Sequence, residues 1–345
     1  MEKRMKNTLK VLFVSLALLI NLSCSYMKTD LGDETIDVSI TQIKTSSGQT
    51  GVILSFNTIP ADLVIPSKLQ DLPVLKVSFA KTTNLSSLKT ISIPSTVTEI
   101  DTFKGATSLK IVTLPDSMTT LPSFSGCSNL ESVILPEPIT EIPESCFENC
   151  KVLKNVSKPE ENTETVGNLK GITVIGKSAF NNCTALNSIA LETTSITELN
   201  DLTFYNCAKL SVVKLPDTIQ SIDNEVFSGC SSITTFDIPE NVTKIGISVF
   251  ASTSLTKLYC YPKIPFDIAK TSLPEMLVEE EKQSEGTKES TTDEETIEDG
   301  EETEKEKVYK KVFTLYVPAE SESLYKEKWE NLVDWRVIEI KTLQA

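Results

Sequence analysis

Cysteine is the residue whose type and spacing in this sequence could do chemistry, because five of the eight cysteines occupy one repeated position. Each of the five stands three residues before the leucine or isoleucine that opens a short apolar run, as in "FSGCSSITTFDIP" (227–239). Thiols placed so regularly could form disulfides, bind a metal ion or fill a core as small apolar groups. The five are Cys127, Cys150, Cys183, Cys207 and Cys230.

The apolar runs recur with a nearly constant period, and most of them end in proline. Successive run ends are 21 to 24 residues apart, except for one interval of 33 that contains an expansion around residues 161–171. A period of about 23 residues with leucines inside it is typical of a solenoid. An earlier, poorer copy, "LVIP" (63–66), predicts an N-terminal capping turn. The run ends are Pro94, Pro115, Pro136, Pro159, Glu192, Pro216, Pro239 and Pro262.

Each repeat unit contains the elements of one coil. In "LKTISIP" (88–94) the alternation predicts a short strand with Ile91 and Ile93 pointing inward, and the proline ends that strand. A segment such as "VTKIG" follows, and then a phenylalanine. No coil can bury its apolar edge alone, so the coils must stack with parallel strands and their phenylalanines must form one internal column. The column is Phe103, Phe124, Phe147, Phe180, Phe204, Phe227 and Phe250.

In such a stack the repeated cysteines form an internal ladder, where a free thiol is a small apolar group and a weak donor to loop carbonyls. Disulfides are the alternative, since an exported chain meets an oxidising compartment. However, parallel side chains on neighbouring rungs hold their Cβ atoms about 4.8 Å apart, beyond the usual range of roughly 3.5–4.5 Å. A metal site would need the thiols to converge. We therefore expect buried free thiols, with Cys146 also in the core.

The overall composition argues against several classes of function. The 345 residues carry a formal net charge of −15, so the surface repels nucleic acid and anionic membranes. The chain contains no histidine, which removes the commonest general base and the commonest zinc ligand. It also lacks a glycine-rich phosphate loop and a nucleophile elbow. We predict a non-enzymatic protein with no catalytic residues, no cofactor and no metal site.

The N-terminus is typical of an export signal. A basic start precedes the apolar residues 11–20, which are too few to span a bilayer. The run leads to Ser23 and Cys24, a small residue followed by cysteine, which resembles the lipid-attachment site of bacterial lipoproteins. A plain secretory signal with a chance cysteine is the alternative. The lipoprotein hypothesis predicts an exported outer-membrane or cell-surface protein that contacts the membrane only through a lipid on Cys24.

The repeat frame "FSGCSSITTFDIPENVTKIGISVF" (227–250) resembles the BspA-like leucine-rich repeats of bacterial surface proteins. The resemblance covers roughly residues 63–262, and the segment 313–335 resembles the closing segment of such proteins in Bacteroidetes-type bacteria. Departures are Glu192 in a proline slot and Ala106 where cysteine is expected. The resemblance implies an α/β leucine-rich-repeat solenoid, with a parallel β-sheet on its concave face and a cap at each end. It also implies a surface-exposed binding protein, in a family linked to adhesion to host matrix proteins and to other bacteria.

The chain is expected to divide into four regions. The predicted C-terminal cap contains residues 279–307, whose 14 acidic and 4 basic residues cannot bury a core and predict a disordered insert. The regions are a signal peptide (1–23), a linker and N-terminal cap region (24–50), the solenoid (51–262) and the C-terminal cap (263–345).

An amphipathic segment near the C-terminus, residues 322–332, predicts a helix that covers the open end of the solenoid. Its core-facing residues are predicted to be Leu324, Tyr325, Trp329 and Leu332.

Solenoids usually bind partners on the strand-lined face. The outward positions there are mostly small and hydroxyl-bearing, and the aliphatic Ile111, Ile134 and Val212 indicate a modest protein-contact patch. Scattered surface apolar residues are, equally, normal in proteins. Tyr259 is expected to be the only large ring, a poor platform for stacking sugars. The candidate face is Ile111, Thr113, Ser132, Ile134, Val212, Lys214, Thr235, Asp237 and Tyr259.

The leading hypothesis is therefore a monomeric, adhesin-like cell-surface protein that presents its repeats to an extracellular protein of the host matrix or of another bacterium. The alternative is a glycan-binding accessory surface lipoprotein, which should expose tryptophans along its strands. Both tryptophans, Trp329 and Trp335, instead fall in the predicted cap. A third hypothesis is docking of the acidic insert to a basic partner, which high salt should abolish.

Overall fold

The computed structural model describes residues 25–31, 34–69, 71–158, 169–273, 313–333 and 338–343. The predicted signal peptide, Cys24, Trp335 and the acidic insert 279–307 lie outside the described residues. The first strands are β1 (Ser25–Leu31), β2 (Glu34–Lys44), β3 (Thr50–Phe56), β4 (Asp62–Val64), β5 (Lys68–Leu69) and β6 (Leu72–Phe79). The next are β7 (Thr90–Ser92), β8 (Glu99–Ile100), β9 (Ile111–Thr113), β10 (Ser132–Ile134), β11 (Glu141–Ile142), β12 (Asn155–Ser157), β13 (Val174–Ile175) and β14 (Ser188–Ala190). The last are β15 (Glu198–Leu199), β16 (Val212–Lys214), β17 (Ser221–Ile222), β18 (Thr235–Ile238), β19 (Lys244–Ile245), β20 (Lys257–Cys260), β21 (Asp267–Ile268), β22 (Phe313–Val317), helix α1 (Glu322–Lys328) and β23 (Ile338–Thr342).

The strands confirm the predicted solenoid of stacked coils. The coils contribute short strands, and within each sheet a strand pairs in parallel with the same position of the neighbouring coil, so that Val133 lies between Val112 and Val156. The middle residue of such a strand is buried and its two neighbours point away from the core, as in β7 and β9. We call the outward side of these strands the strand face. It consists of the sheets β4–β7, β9–β10–β12, β14–β16 and β18–β20–β22–β23.

A second row of two-residue strands runs along another side of the coils, as in β15–β17–β19–β21. The proline between the two strands of a coil explains the change of direction. The backbone carbonyl of Pro136 accepts a hydrogen bond from the amide of Ile139, and Pro239 and Val242 are related in the same way. Proline therefore ends the first strand, where it can donate no ladder hydrogen bond, and begins a turn.

The predicted phenylalanine column is confirmed, and every ring in it is fully buried. Neighbouring ring centroids from Phe103 to Phe250 lie 5.3 to 5.9 Å apart, and their planes differ by 22° or less. The column also extends toward the N-terminus through Phe79 and Phe56. Between Phe147 and Phe180 the spacing is 5.4 Å, so the column crosses the expanded coil without a break.

The N-terminal strands join the solenoid through its second row. Strands β1, β2 and β3 form an antiparallel sheet, and β3 pairs in parallel with β6, which in turn pairs with β8. Residues 63–66 do not form only a turn, because Leu63 lies in β4 and pairs with Ile91 of β7. These residues supply a rung of the strand face.

The C-terminal segment lies against the last coil. Strand β22 continues the strand face beside β20, and α1 follows it. The hydroxyl of Tyr325 donates to the carbonyl oxygen of Pro262 at 2.9 Å, and the Trp329 ring packs edge-on against Phe266.

The helix is shorter than predicted, and one of its predicted core contacts is wrong. Tyr325 and Trp329, four residues apart, occupy the side that faces the coil, and Leu332 is half-buried. Leu324 is 45% exposed, because the next residue along a helix is rotated by about 100°. Within the described residues, no helix is long and apolar enough to cross a membrane.

Candidate functional site

All nine predicted residues lie on the strand face at outward positions. Ser132 and Tyr259 are half-buried and the other seven are exposed. The alternation along each strand explains this result, since the residue between two outward positions points into the core. The nine residues nevertheless fall into three separate sheets. Ile111, Thr113, Ser132 and Ile134 belong to β9–β10–β12, Val212 and Lys214 to β14–β16, and Thr235, Asp237 and Tyr259 to β18–β20–β22–β23.

Two of the three predicted aliphatic residues are brought together. Ile111 pairs with Ser132 and Ile134 pairs with Thr113, so the two isoleucines are diagonal neighbours on adjacent strands. Their side chains are 63% and 53% exposed, which is unusual for isoleucine in a folded protein. Val212 lies in another sheet beside Ser188 and does not join them. We call Ile111 and Ile134 the isoleucine pair.

The prediction that Tyr259 is the only large ring on the strand face is wrong. Tyr316 of β22 pairs in register with Tyr259, and the two rings stack with centroids 4.3 Å apart and planes 12° apart. The sequence contained a signal for this arrangement, because "TLYVP" (314–318) repeats the alternation of "KLYCYP" (257–262). Tyr261, directly after β20, is 44% exposed and adds a third ring.

The tyrosines belong to a row that runs across four parallel strands. In register, Asp237 lies beside Tyr259, Tyr259 beside Tyr316, and Tyr316 beside Lys341. Lys341 forms an ion pair with Glu339 at 3.0 Å, whereas Asp237 makes no hydrogen bond or ion pair with another described residue.

The surroundings of this row raise the pKa values of its acidic groups. Partial burial raises the pKa of the Asp237 carboxyl. Burial and then the negative charge of Asp237 raise the pKa of Tyr261. The pKa of Tyr259 is raised by burial first, then by Tyr316 and by Asp237. The carboxylate is therefore within electrostatic reach of both tyrosines, and it forms no ion pair with a described lysine.

The cysteine ladder belongs to the core and not to a site. Each thiol donates a hydrogen bond to the carbonyl of the column phenylalanine in the preceding coil, at 3.1 to 3.2 Å. Cys146 is also buried, and its Sγ lies 3.6 Å from the carbonyl oxygen of Pro122. All the cysteines that the structure describes are free, and burial raises the pKa of each of them. The described part of the chain contains no cluster of three acidic or cysteine side chains that could hold a metal ion.

Comparison with known proteins agrees with this repeat architecture. The family model described as "BspA type leucine rich repeat region" matches in six copies over residues 76–169 and 162–267. No curated protein matches the chain. Among solved structures, a leucine-rich repeat protein of T. pallidum is 25% identical, with a TM-score of 0.44, over 62% of this chain and 86% of that chain. A leucine-rich repeat protein from Bacteroides ovatus is 21% identical, with a TM-score of 0.34, over 91% of this chain and 100% of that chain. A leucine-rich cell surface protein from Faecalibacterium prausnitzii is 20% identical, with a TM-score of 0.28, over 72% of this chain and 94% of that chain.

Proposed function

Because the chain belongs to the family of BspA-type leucine-rich repeat proteins, we propose that it is a non-enzymatic, adhesin-like protein of the bacterial cell surface. Membership of this family implies a role in protein interaction. The partner in this proposal is an extracellular protein, of the host matrix or of another bacterium. The protein acts as a monomer, and a lipid on Cys24 anchors it to the outer membrane.

The isoleucine pair carries the proposal. Isoleucine gains about 1.5–3 kcal/mol when it is fully buried, yet Ile111 and Ile134 are exposed diagonal neighbours on adjacent strands. Their neighbours Thr113 and Ser132 are small and carry hydroxyl groups. An apolar centre inside a polar rim is the usual anatomy of a protein-contact surface.

The proposal is tested by solid-phase binding of the purified protein to a panel of host matrix proteins and polysaccharides, at low and moderate salt. We expect saturable binding to a matrix protein. This binding should persist at moderate salt, because salt screens interactions between charges and not contacts between apolar groups. The variant Ile111→Thr/Ile134→Thr should weaken this binding by about tenfold or more. Ile247→Thr is the matched control, because Ile247 is 57% exposed but lies in a turn away from the strand face.

Other outcomes of the same panel would contradict the proposal. Binding only to polysaccharides would favour the glycan-binding alternative. Binding that moderate salt abolishes would favour docking through the acidic insert 279–307. Equal losses in the double variant and in Ile247→Thr would exclude the isoleucine pair as the contact.

A further inference from the structure

The end of the strand face nearest the C-terminus carries a cluster that the isoleucine pair does not explain. It consists of Tyr259, Tyr261, Tyr316 and Asp237, and we call it the tyrosine site. The members come from β18, from β20 with the residue after it, and from β22. The site therefore exists only where the chain returns to the strand face after residue 312.

The two sides of the Tyr259 ring have different neighbours. Tyr316 covers one side of the Tyr259 ring, with the centroids 4.3 Å apart. The other side of Tyr259 adjoins Asp237, its in-register neighbour on β18. Aspartate is much shorter than tyrosine, so it can cover less of that ring side than Tyr316 covers of the other. An aromatic ring and a carboxylate are therefore in-register neighbours on the strand face.

None of the described lysines forms an ion pair with Asp237. Lys341 of the same row pairs with Glu339 at 3.0 Å, and Lys214 of β16 pairs with Glu192 at 3.9 Å. Lys257 of β20 is an exposed diagonal neighbour of Asp237. Asp237 forms no ion pair or hydrogen bond with any residue that the structure describes. An exposed carboxylate without a partner is available to accept hydrogen bonds from an incoming cation.

A guanidinium group matches both features of the site. Its plane can stack on the Asp237 side of the Tyr259 ring, whose π-electrons attract a cation. Its N–H fork can donate two parallel hydrogen bonds to the Asp237 carboxylate. An ammonium group has the charge but neither the plane nor the fork. A neutral sugar could stack on the ring, but it would gain nothing from the negative charge.

We propose that the tyrosine site binds an arginine side chain of a partner protein. The proposal rests on the proposed function, and it adds that the partner presents an exposed arginine to this end of the strand face. The formal net charge of −15 favours approach by a basic surface. The site is separate from the isoleucine pair, which lies in the sheet β9–β10–β12.

The test is a titration of the purified full chain with a peptide. The tyrosine rings of the protein are isotope-labelled, and nuclear magnetic resonance monitors their signals during the titration. The probe is an acetylated and amidated glycine-rich peptide with one central arginine. The matched probe replaces arginine by citrulline, which has the same shape and no charge. We expect saturable shifts of the Tyr259 and Tyr316 ring signals, and binding of the citrulline peptide at least about tenfold weaker.

Substitutions at the tyrosine site test whether the arginine peptide binds there. Asp237→Asn and Tyr259→Leu should each weaken arginine binding by about tenfold. Thr235→Ala is the matched control, since Thr235 is an exposed neighbour of Asp237 on β18, and it should change binding less than about twofold. All three positions point away from the core, so unchanged spectra of the remaining rings will show that the fold is intact.

Three results would overturn the proposal. They are equal binding of the arginine and citrulline peptides, arginine binding that Asp237→Asn leaves unchanged, and saturable oligosaccharide binding at Tyr259 without arginine binding. Failure here is distinct from failure of the proposed function. If the matrix protein binds Asp237→Asn normally and no arginine peptide binds, only the arginine subsite is refuted. If the arginine peptide binds but no matrix protein does, only the adhesin-like function is refuted.

Discussion

The thiol of Cys183 donates to the carbonyl oxygen of Phe147 at 3.1 Å, although 36 residues separate the two in the chain. The equivalent bond from Cys230 to Phe204 has the same length and spans 26 residues. The two bonds are equal because coil stacking, and not coil length, sets the distance between a cysteine and the preceding phenylalanine. The ladder therefore holds adjacent coils in register even across the ten-residue expansion.

Replacing Cys183 by alanine should lower the free energy of unfolding by about 1–3 kcal/mol. The variant leaves the buried carbonyl of Phe147 without its thiol donor and opens a small cavity. Cys146→Ala is the matched control, because it removes the same atoms from an equally buried site with a longer contact of 3.6 Å. Urea denaturation of both variants measures the difference. A loss in Cys146→Ala as large as in Cys183→Ala would show that the thiol hydrogen bond is not the cause.

The column and the ladder could be predicted from the sequence because both depend only on the repeat period. Once Phe124 and Phe147 are assigned to equivalent positions, stacking brings them together whatever the rest of the coil contains. Tyr316 could not be placed in the same way. A segment without the repeat separates it from Tyr259, and only the pairing of β22 with β20 shows that the two rings meet.

The N-terminal strands and the C-terminal helix also could not be fully predicted, because the repeat period does not determine their contacts. The pairings of β1 with β2 and of β2 with β3 are antiparallel, unlike the parallel stacking of the repeats, and the period begins only at β3, where Phe56 lies 23 residues before its partner Phe79. In α1 the apolar spacing predicted the contacts of Tyr325 and Trp329 correctly but not the exposure of Leu324. A short helix with two anchoring rings has one buried side, and spacing alone does not tell which apolar residues share it.

Alkaline pH should destabilise the protein through its buried thiols. Burial raises the thiol pKa from the ordinary value of 9.0 to about 12 for Cys127 and Cys230. The unfolded chain therefore loses these protons first, and the stabilisation is complete below about pH 9 and is lost as the pH rises toward 12. Each thiol should contribute a slope of about 1.4 kcal/mol per pH unit in this window.

Urea denaturation between pH 8 and 11 measures this slope. In the variant Cys127→Ala, the free energy of unfolding should fall less steeply with pH than in the unsubstituted protein. The difference in slope should be that of one thiol, about 1.4 kcal/mol per pH unit. Tyr325 adds to the slope, since burial also raises its pKa, and Lys158 opposes it, since burial lowers its pKa. Both groups are present in the two proteins, so the difference isolates the thiol. An identical slope in the two proteins would contradict the prediction.

Gly176→Ala should destabilise the protein by about 2 kcal/mol or more through overpacking. A Cβ at this position would clash with the backbone nitrogen of Glu144 and lie 2.8 Å from the carbonyl carbon of Pro143. Backbone atoms of a stacked coil cannot move aside as a flexible side chain can. Gly105→Ala is the control for conformation alone, because Gly105 has a φ of +76° and open space around its Cβ position. Its cost should be only about 1 kcal/mol, and equal melting temperatures for the two variants would refute the packing argument.

Lys158 is buried directly after β12, at the position where the preceding coil has Leu135, so its replacement by leucine would restore the repeat pattern. Its Nζ donates to the backbone carbonyl oxygens of Pro136, Glu137 and Ile139 at 2.9, 2.5 and 2.6 Å. Burial lowers the pKa of the ammonium, which the charge of Glu137 partly offsets, so the charge pays a desolvation cost in the folded state.

The balance of these effects decides the sign of Lys158→Leu. Three charge-assisted hydrogen bonds contribute about 1.5–3 kcal/mol each, whereas leucine would regain about 1.5–3 kcal/mol in total by burial. We therefore expect the variant to be less stable by at least about 1.5 kcal/mol, although it matches the other coils better. Lys154→Leu is the control, since Lys154 is exposed and its ion pair with Glu131 at 3.7 Å should contribute less than about 1 kcal/mol. A Lys158→Leu variant as stable as the unsubstituted protein would mean that the desolvation of the buried ammonium cancels its three hydrogen bonds.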